Sequence, residues 1–401
     1  MRLTIPLLHD NHNHVSLYTA LSSCIDLSTM GPDASLAALY SLPHDRLTVV
    51  RGWRTNELKL SRDLLSRMPP VMLINFSLHG FAVSDAGRPY LERMVPELLT
   101  HADDQRWCEA HVPEIFSGWC ELIHFDANRL ATSHETLRNL GIGSSDDMTV
   151  PTKSIVSACI HSAYFDRISC WVAPELYAKL DIETRKRVSG IKLFLDGAIG
   201  ARSAAIAGPW IGAGSPMFTY SNDRLHERLL ECGSYSTGLA IHAIGELAID
   251  QALGALEKAM KHGARYSRVR LEHVQFIDER QARRAKALGL ILSMQPNFSS
   301  DTIDYADRLP ASYLDRNNPF RMLIDDVGFV PGVDLIFGSD GMPDGIAYAA
   351  TVSLFPACPV QRLSIDELVA GYGPARGISG STTIDIDHNA KRVTIVDEKM
   401  S

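Results

Sequence analysis

The chain has 401 residues, 39 of them Lys or Arg and 47 Asp or Glu, for a net charge of −8, and 45% of it is hydrophobic, ample for a large buried core. A mildly acidic chain with no Lys/Arg block is not built to coat nucleic acid or an anionic membrane, and no apolar run is long enough to span a bilayer. Seven scattered cysteines without a Cys-x-x-Cys, and an N-terminus, MRLTIPLLHDNHNH, that lacks the pattern of a signal peptide, predict reduced thiols in a cytoplasmic protein.

In chain order, the first predicted strand is TIPLLHDNHNHV (4–15). A stretch from about 33 to 139 then breaks the pattern, with strand-like pieces RLTVVRGW and PPVMLINFSLHGFAV and a helical part between Leu91 and Leu137. It is predicted to be an insertion in the first strand-to-helix connection. From residue 141 short apolar runs alternate with helical stretches. The runs are IGSSDDM (142–148), RISCWVA (167–173), GIKLFLDG (190–197), GLAIHAI (238–244), RVRLEHVQ (268–275), LILSMQP (290–296) and DLIFGSDG (334–341). Helical stretches such as ELAIDQALGALEKAMKHG are amphipathic and end at Gly. Strand–helix alternation implies a parallel sheet with helices outside, and eight strands is the number that closes a (β/α)8 TIM barrel, an α/β fold. An open doubly wound sheet would want a Gly-rich phosphate loop after an early strand, and the sequence has none. The tail TTIDIDHNAKRVTIVDE alternates at period two around His388-Asn389, so 381–401 is predicted to be a small C-terminal β-hairpin outside a barrel spanning 1–380.

The chemistry lies in where the ligand-type residues fall. His12 and His14 end the first strand two apart, which points both side chains to one face. Lys192 sits inside an apolar strand; His242, His273 and Asp340 each end one. Singly, a strand-end His is more often a structural hydrogen bonder and Asp340 a turn residue. Together the six converge on the C-terminal rim of a barrel, where such folds place their active sites. Imidazole and carboxylate ligands without thiolate suit Zn, Mn, Fe or Ni, with zinc the default for hydrolysis. A cationic Lys cannot bind a cation, but carbamylated by CO2 it becomes an anion able to bridge two metals. Two metals lower the pKa of a bridging water and polarise a carbonyl, and Asp340 can take that water's proton.

With these residues in place the sequence resembles the amidohydrolase superfamily, in particular the YtcJ-like (amidohydrolase 3) branch similar to N-substituted formamide deformylase. The resemblance covers nearly the whole chain. Its motifs are Asp10-Asn11-His12-Asn13-His14, GIKLFLDGAIGARSA (190–204), AIHAIGELAID (240–250), RLEHVQ (270–275), SMQPNF (293–298) and FGSDGMP (337–343). It implies that His12 and His14 bind the more buried metal, that Lys192 is the carbamylated bridge and that His242 and His273 bind the more exposed metal. Asp340 is then the proton-shuttling carboxylate, and His79 and Arg202 are substrate-binding candidates. Two departures stand out. Relatives usually carry a β-sandwich made from both chain ends, whereas here the chain is predicted to start directly on the first barrel strand, leaving the hairpin as a remnant. Gly341-Met342-Pro343 also follows the aspartate where relatives often have a different loop.

Three functions compete. The first is hydrolysis of a C–N bond in a small-molecule amide, N-formyl compound or cyclic amide, by a monomer or a homo-oligomer. The second is a one-metal deaminase using Glu246, although His-Ala-Ile-Gly-Glu has one residue too many for that motif and leaves Lys192 without a role. The third is a silent barrel kept for binding, whose mark would be a missing ligand; all six are present.

Overall fold

The computed structural model describes residues 1–54, 57–76, 78–102 and 104–396. The chain divides into two compact units, Met1–Ser16 with Ala127–Ser401, and Leu17–Asp126.

The first unit is a (β/α)8 barrel. Strands Leu8–Asn13 (β2), Ile142–Asp147 (β7), Ile168–Val172 (β8), Gly190–Phe194 (β9), Gly238–Ala243 (β10), Arg268–His273 (β11), Ile291–Met294 (β12) and Leu335–Phe337 (β13) form one parallel eight-stranded sheet in that spatial order. The gap between β13 and β2 has no regular ladder. It is closed by the Asp340 amide donating to the His12 carbonyl at 2.6 Å and the Asn11 side chain donating to the Phe337 carbonyl at 3.0 Å. Gly338 permits this approach, since a Cβ there would lie 2.3 Å from the His12 nitrogen. The helices outside are amphipathic as predicted. Glu246–Lys261 turns Ile249, Leu253 and Leu256 inward at helical spacing, and each fully buried aliphatic side chain contributes about 1.5–3 kcal/mol. Glu279–Ala287 opens with a capping box between Asp278 and Gln281.

The start of the chain departs from the prediction. Arg2–Pro6 (β1) is not part of the barrel but pairs antiparallel with Ser381–Asp387 (β14), which pairs with Arg392–Ile395 (β15), giving a three-stranded sheet from both chain ends. The switch occurs at Leu7 and Leu8, whose amides donate to Gly380 and Gly141 respectively. In β1 only Ile5 is buried, whereas every residue of β2 is; one continuous run of sequence therefore serves two sheets with different needs for burial. The predicted hairpin is present as β14 and β15; its last residues, 397–401, lie outside the described residues.

The second unit has a four-stranded sheet of Ile25–Asp26 (β3), Thr48–Trp53 (β4), Val71–Asn75 (β5) and Phe81–Val83 (β6), parallel except for the β5–β6 pair. Its own core gathers Leu27, Leu39, Val50, Val71 and Leu73. The helix Val112–Leu122 buries Ile115, Phe116 and Trp119. The unit starts and ends earlier in the chain than the predicted 33–139, because helix Arg129–Asn139 belongs to the barrel unit. No helix among the described residues is long and apolar enough to cross a membrane.

Candidate metal centre

The C-terminal ends of five barrel strands bring the six predicted residues to one rim. His12 and His14 lie at the end of β2, Lys192 in β9, His242 in β10, His273 at the end of β11, and Asp340 three residues beyond β13. Ligand atoms of His12, His14 and Asp340 all lie within 4.8 Å of one another, a spacing that fits one metal ion. The Nε2 atoms of His12 and His14 face Asp340 Oδ1 at 3.6 and 3.1 Å. His273 links this group to His242: its ring centroid is 4.8 Å from that of His12 and 4.5 Å from that of His242. Lys192 is fully buried, its Nζ 5.1 Å from the centre of the Phe194 ring, and Phe194 in turn packs on His242. That Nζ has no hydrogen-bond partner among the described residues. Loops on this rim pack on a small apolar cluster that includes Ile206, Trp210, Ile244 and Phe276.

Two of these residues hold backbone conformations that side chains rarely adopt. His273 has φ +70° and Asp340 φ +58°, each a cost on the order of 1–3 kcal/mol. The surroundings hold them there: the Asp340 amide is bonded to the His12 carbonyl and the Val274 amide to the Ala243 carbonyl.

Electrostatics prepares the donors. Burial, reinforced by the charge on Lys192, holds His12 down at about 4, so its imidazole is neutral at pH 7. His273 is pushed well below the ordinary imidazole range by burial and by its His242 and His12 neighbours. Burial would raise the Asp340 carboxyl, but His12, His14 and Lys192 outweigh it and hold the group at about 2. Burial also lowers Lys192 to about 8, against the pull of Glu272 and Asp340.

The residues that orient these donors lie outside the six predicted from sequence. His12 Nδ1 donates to Glu272 Oε2 at 2.6 Å, which leaves Nε2 free of its proton and facing Asp340. Glu272 in turn accepts from Arg270 Nε at 2.8 Å and Nη2 at 3.1 Å, and Arg270 also bonds Asp146 and the Asn11 carbonyl. Burial would raise both carboxyls, but Arg270 and His12 hold Glu272, and His9 and Arg270 hold Asp146, well below the usual carboxylate range. Asp10 accepts from the amides of His12 and Ser339, pinning β2 to the loop that carries Asp340. Asp196 accepts from the amides of Ala205, Ile244 and Gly245 and so fixes the turn after His242. The available signal was the charge at alternate positions inside strands, Arg270 and Glu272 in RVRLEH and the acidic pair in IGSSDDM.

Three other candidates have local partners. Arg202 donates from Nε to the Ile211 carbonyl at 2.9 Å and reaches Asp307 at 3.4 Å. His79, in the second unit, meets the buried Glu109 at 3.0 Å. Glu246, the general base that a deaminase would need, is bonded to the Tyr313 hydroxyl and lies 3.9 Å from Arg316.

An eight-stranded barrel with this donor set on its rim defines a member of the amidohydrolase family, a family of hydrolase enzymes. The chain belongs to that family, whose model matches residues 152–353. Among individual proteins, it is 30% identical over 346 residues to YtcJ of Bacillus subtilis (strain 168), named an amidohydrolase, covering 75% of this chain and 64% of that protein. It is also 30% identical over 120 residues to LONG AFTER FAR-RED 3 of Arabidopsis thaliana, across 29% of this chain and 21% of that protein. This chain therefore spans less than two thirds of either relative. Two uncharacterized metal-dependent hydrolases of known structure, from Pyrococcus horikoshii and Pyrococcus furiosus, share the fold. Their TM-scores are 0.66 and 0.65 at 21% identity, over 92% of this chain and 80% and 81% of theirs.

Proposed function

We propose that the protein hydrolyses a C–N bond in a small-molecule amide, N-formyl compound or cyclic amide, with two divalent ions, zinc by default, held by His12, His14, Lys192, His242, His273 and Asp340. The observation that carries this reading is Lys192. Lys192 is a buried amine without a hydrogen-bond partner among the described residues, and the nearby charges of Glu272 and Asp340 act on it. The neutral Lys192 amine, on adding to the carbon of CO2 and losing one proton, would become an anionic carbamate and could supply the oxygen ligands that a cation cannot. His12, His14 and Asp340 would hold one ion, and His242 and His273 the other. When bound, such ions lower the pKa of water and polarise a carbonyl. Asp340, ionised at neutral pH, accepts a proton from the attacking water and passes it to the leaving nitrogen. Glu272 keeps His12 in the tautomer that presents Nε2. Arg202 is proposed to contact substrate, in a protein of the cytoplasm.

The test is metal content together with turnover. Protein made in zinc-supplemented medium should hold close to two ions per chain and hydrolyse members of a panel of N-formyl amines, amides and cyclic amides. Lys192→Ala should lose at least one ion and its activity, with partial rescue by short-chain carboxylates. Full metal content in Lys192→Ala, or a single ion in active wild type, refutes the bridge.

A further inference from the structure

At the opposite end of the barrel from the metal centre is a cavity of about 460 Å³, lined by His9, Arg268, Arg270, Arg376, Val333 and Ile336 among others, with no Asp or Glu in its wall among the described residues. Arg268 opens β11 and His273 closes it, so five residue steps, roughly 16 Å, separate the two ends. We propose that this cavity is a binding site for a small organic anion, an oxyanion head on an apolar body.

Cationic groups at this end outnumber the carboxylates that face them. Arg270 is matched by Asp146 and Glu272. Arg376 reaches the same Asp146 at 3.5 Å, and His9 reaches it at 3.2 Å. Two carboxylates thus serve Arg270 and Arg376. Arg268 has no ion pair or side-chain hydrogen bond among the described residues; it lies over the face of Trp171, 4.9 Å away, a ring that Arg270 approaches at 5.1 Å, and the carboxylates whose charge reaches it are the same Asp146 and Glu272. Arg268 is partly buried and Arg270 fully so, and the charge on Arg270 acts against that on Arg268, a repulsion that a bound anion would offset. A guanidinium fork fits a carboxylate or phosphate bidentately. Arg376 is half exposed and Val333 largely so, which places the mouth at these residues. The apolar wall of Val333, Ile336 and Ile291 suits a hydrocarbon body rather than a bare inorganic ion.

The experiment is calorimetric titration of the metal-loaded full chain with benzoate, phenyl phosphate and the neutral benzyl alcohol. A saturable isotherm is expected for at least one of the two anions and none for the alcohol; which anion binds tells carboxylate from phosphate. Arg268→Gln should weaken binding by about tenfold or more, the usual effect of removing a charged hydrogen-bond donor. Val333→Glu, at an exposed position that leaves the barrel interior untouched, should weaken it through repulsion, and Val333→Lys should not. An anion held at the metal centre would be insensitive to all three variants. No binding of either anion, or equal affinity in wild type, Arg268→Gln and Val333→Glu, overturns the proposal.

Discussion

Replacing Glu272 by Gln tests whether the centre is built from beneath. Both Glu272 oxygens are in use, Oε1 by Arg270 and Oε2 by Arg270 and His12 Nδ1, and the residue is fully buried. Glutamine keeps the shape but has one acceptor. With its oxygen toward His12, its amide faces the Arg270 Nε at 2.8 Å, donor against donor. Flipped, the amide donates to His12 Nδ1 and forces the imidazole proton onto Nε2, the nitrogen that faces Asp340. Arg270 also loses one of its two carboxylates, and unmatching a buried ion pair costs about 3–5 kcal/mol. Loss of a partner that orients a metal-ligating His typically lowers affinity about 10–100-fold. The expected outcome is zinc affinity lower by that factor in chelator competition, with a lower unfolding midpoint in metal-free protein. Wild-type affinity and an unchanged midpoint would refute the account of Glu272 as the group that sets the His12 tautomer.

Other perturbations probe separate features. Gly338→Ala would put a Cβ 2.3 Å from the His12 nitrogen and 2.7 Å from its Cβ; displacing β2 should lower stability by about 1–3 kcal/mol and reduce bound metal, and a stable, fully loaded variant would contradict the closure described above. Asp340→Asn should fold but lose about 10²–10⁴ in turnover, measured on any substrate found in the panel, because an amide cannot accept the proton. Asp301 is pushed up to about 7 by burial, though Gln275 donates to it. A carboxyl raised above its unfolded value contributes stability that is complete below about pH 4 and lost as pH rises through 7. Asp301→Asn should therefore be the more stable protein at pH 8, by about 2–4 kcal/mol, with no advantage at pH 4; equal midpoints at pH 8 would refute this.

The residues that could be read from sequence were those whose surroundings made them anomalous. Lys192 stood out against Ile191 and Leu193, and His12 and His14 against an apolar strand. Eight runs spaced by helices fixed the barrel without any knowledge of contacts. Arg270 and Glu272 escaped notice because R-V-R-L-E-H has the alternation of a strand with one face in water, and only closure of the sheet turns that face into the barrel axis. The start of β2 was misplaced because TIPLLHDNHN is strand-like throughout; the handover at Leu7 depends on partners more than 130 residues away, Gly141 and Gly380. Arg202 and His79 could be nominated from motifs, but their partners Asp307 and Glu109 are set by loop geometry that no local pattern encodes.

The order of strands around the barrel has a consequence for how the chain reaches its native state. Strand β2, which carries His12 and His14, is the first barrel strand to be synthesised, yet its neighbours β7 and β13 follow about 130 and 325 residues later. At about 5–20 residues per second, His12 leaves the ribosome roughly 16–65 s before Asp340. The Leu17–Asp126 unit is continuous in sequence, has its own core and can form during that interval. Strand β2, buried along its whole length in the finished barrel, has no ladder to join until β7 appears. Contacts of such high order are slow to form, so barrel closure is the step most open to aggregation during synthesis. The His12–His14–Asp340 cluster is then a late product of folding, and an ion that binds it acts on a chain whose topology is already complete.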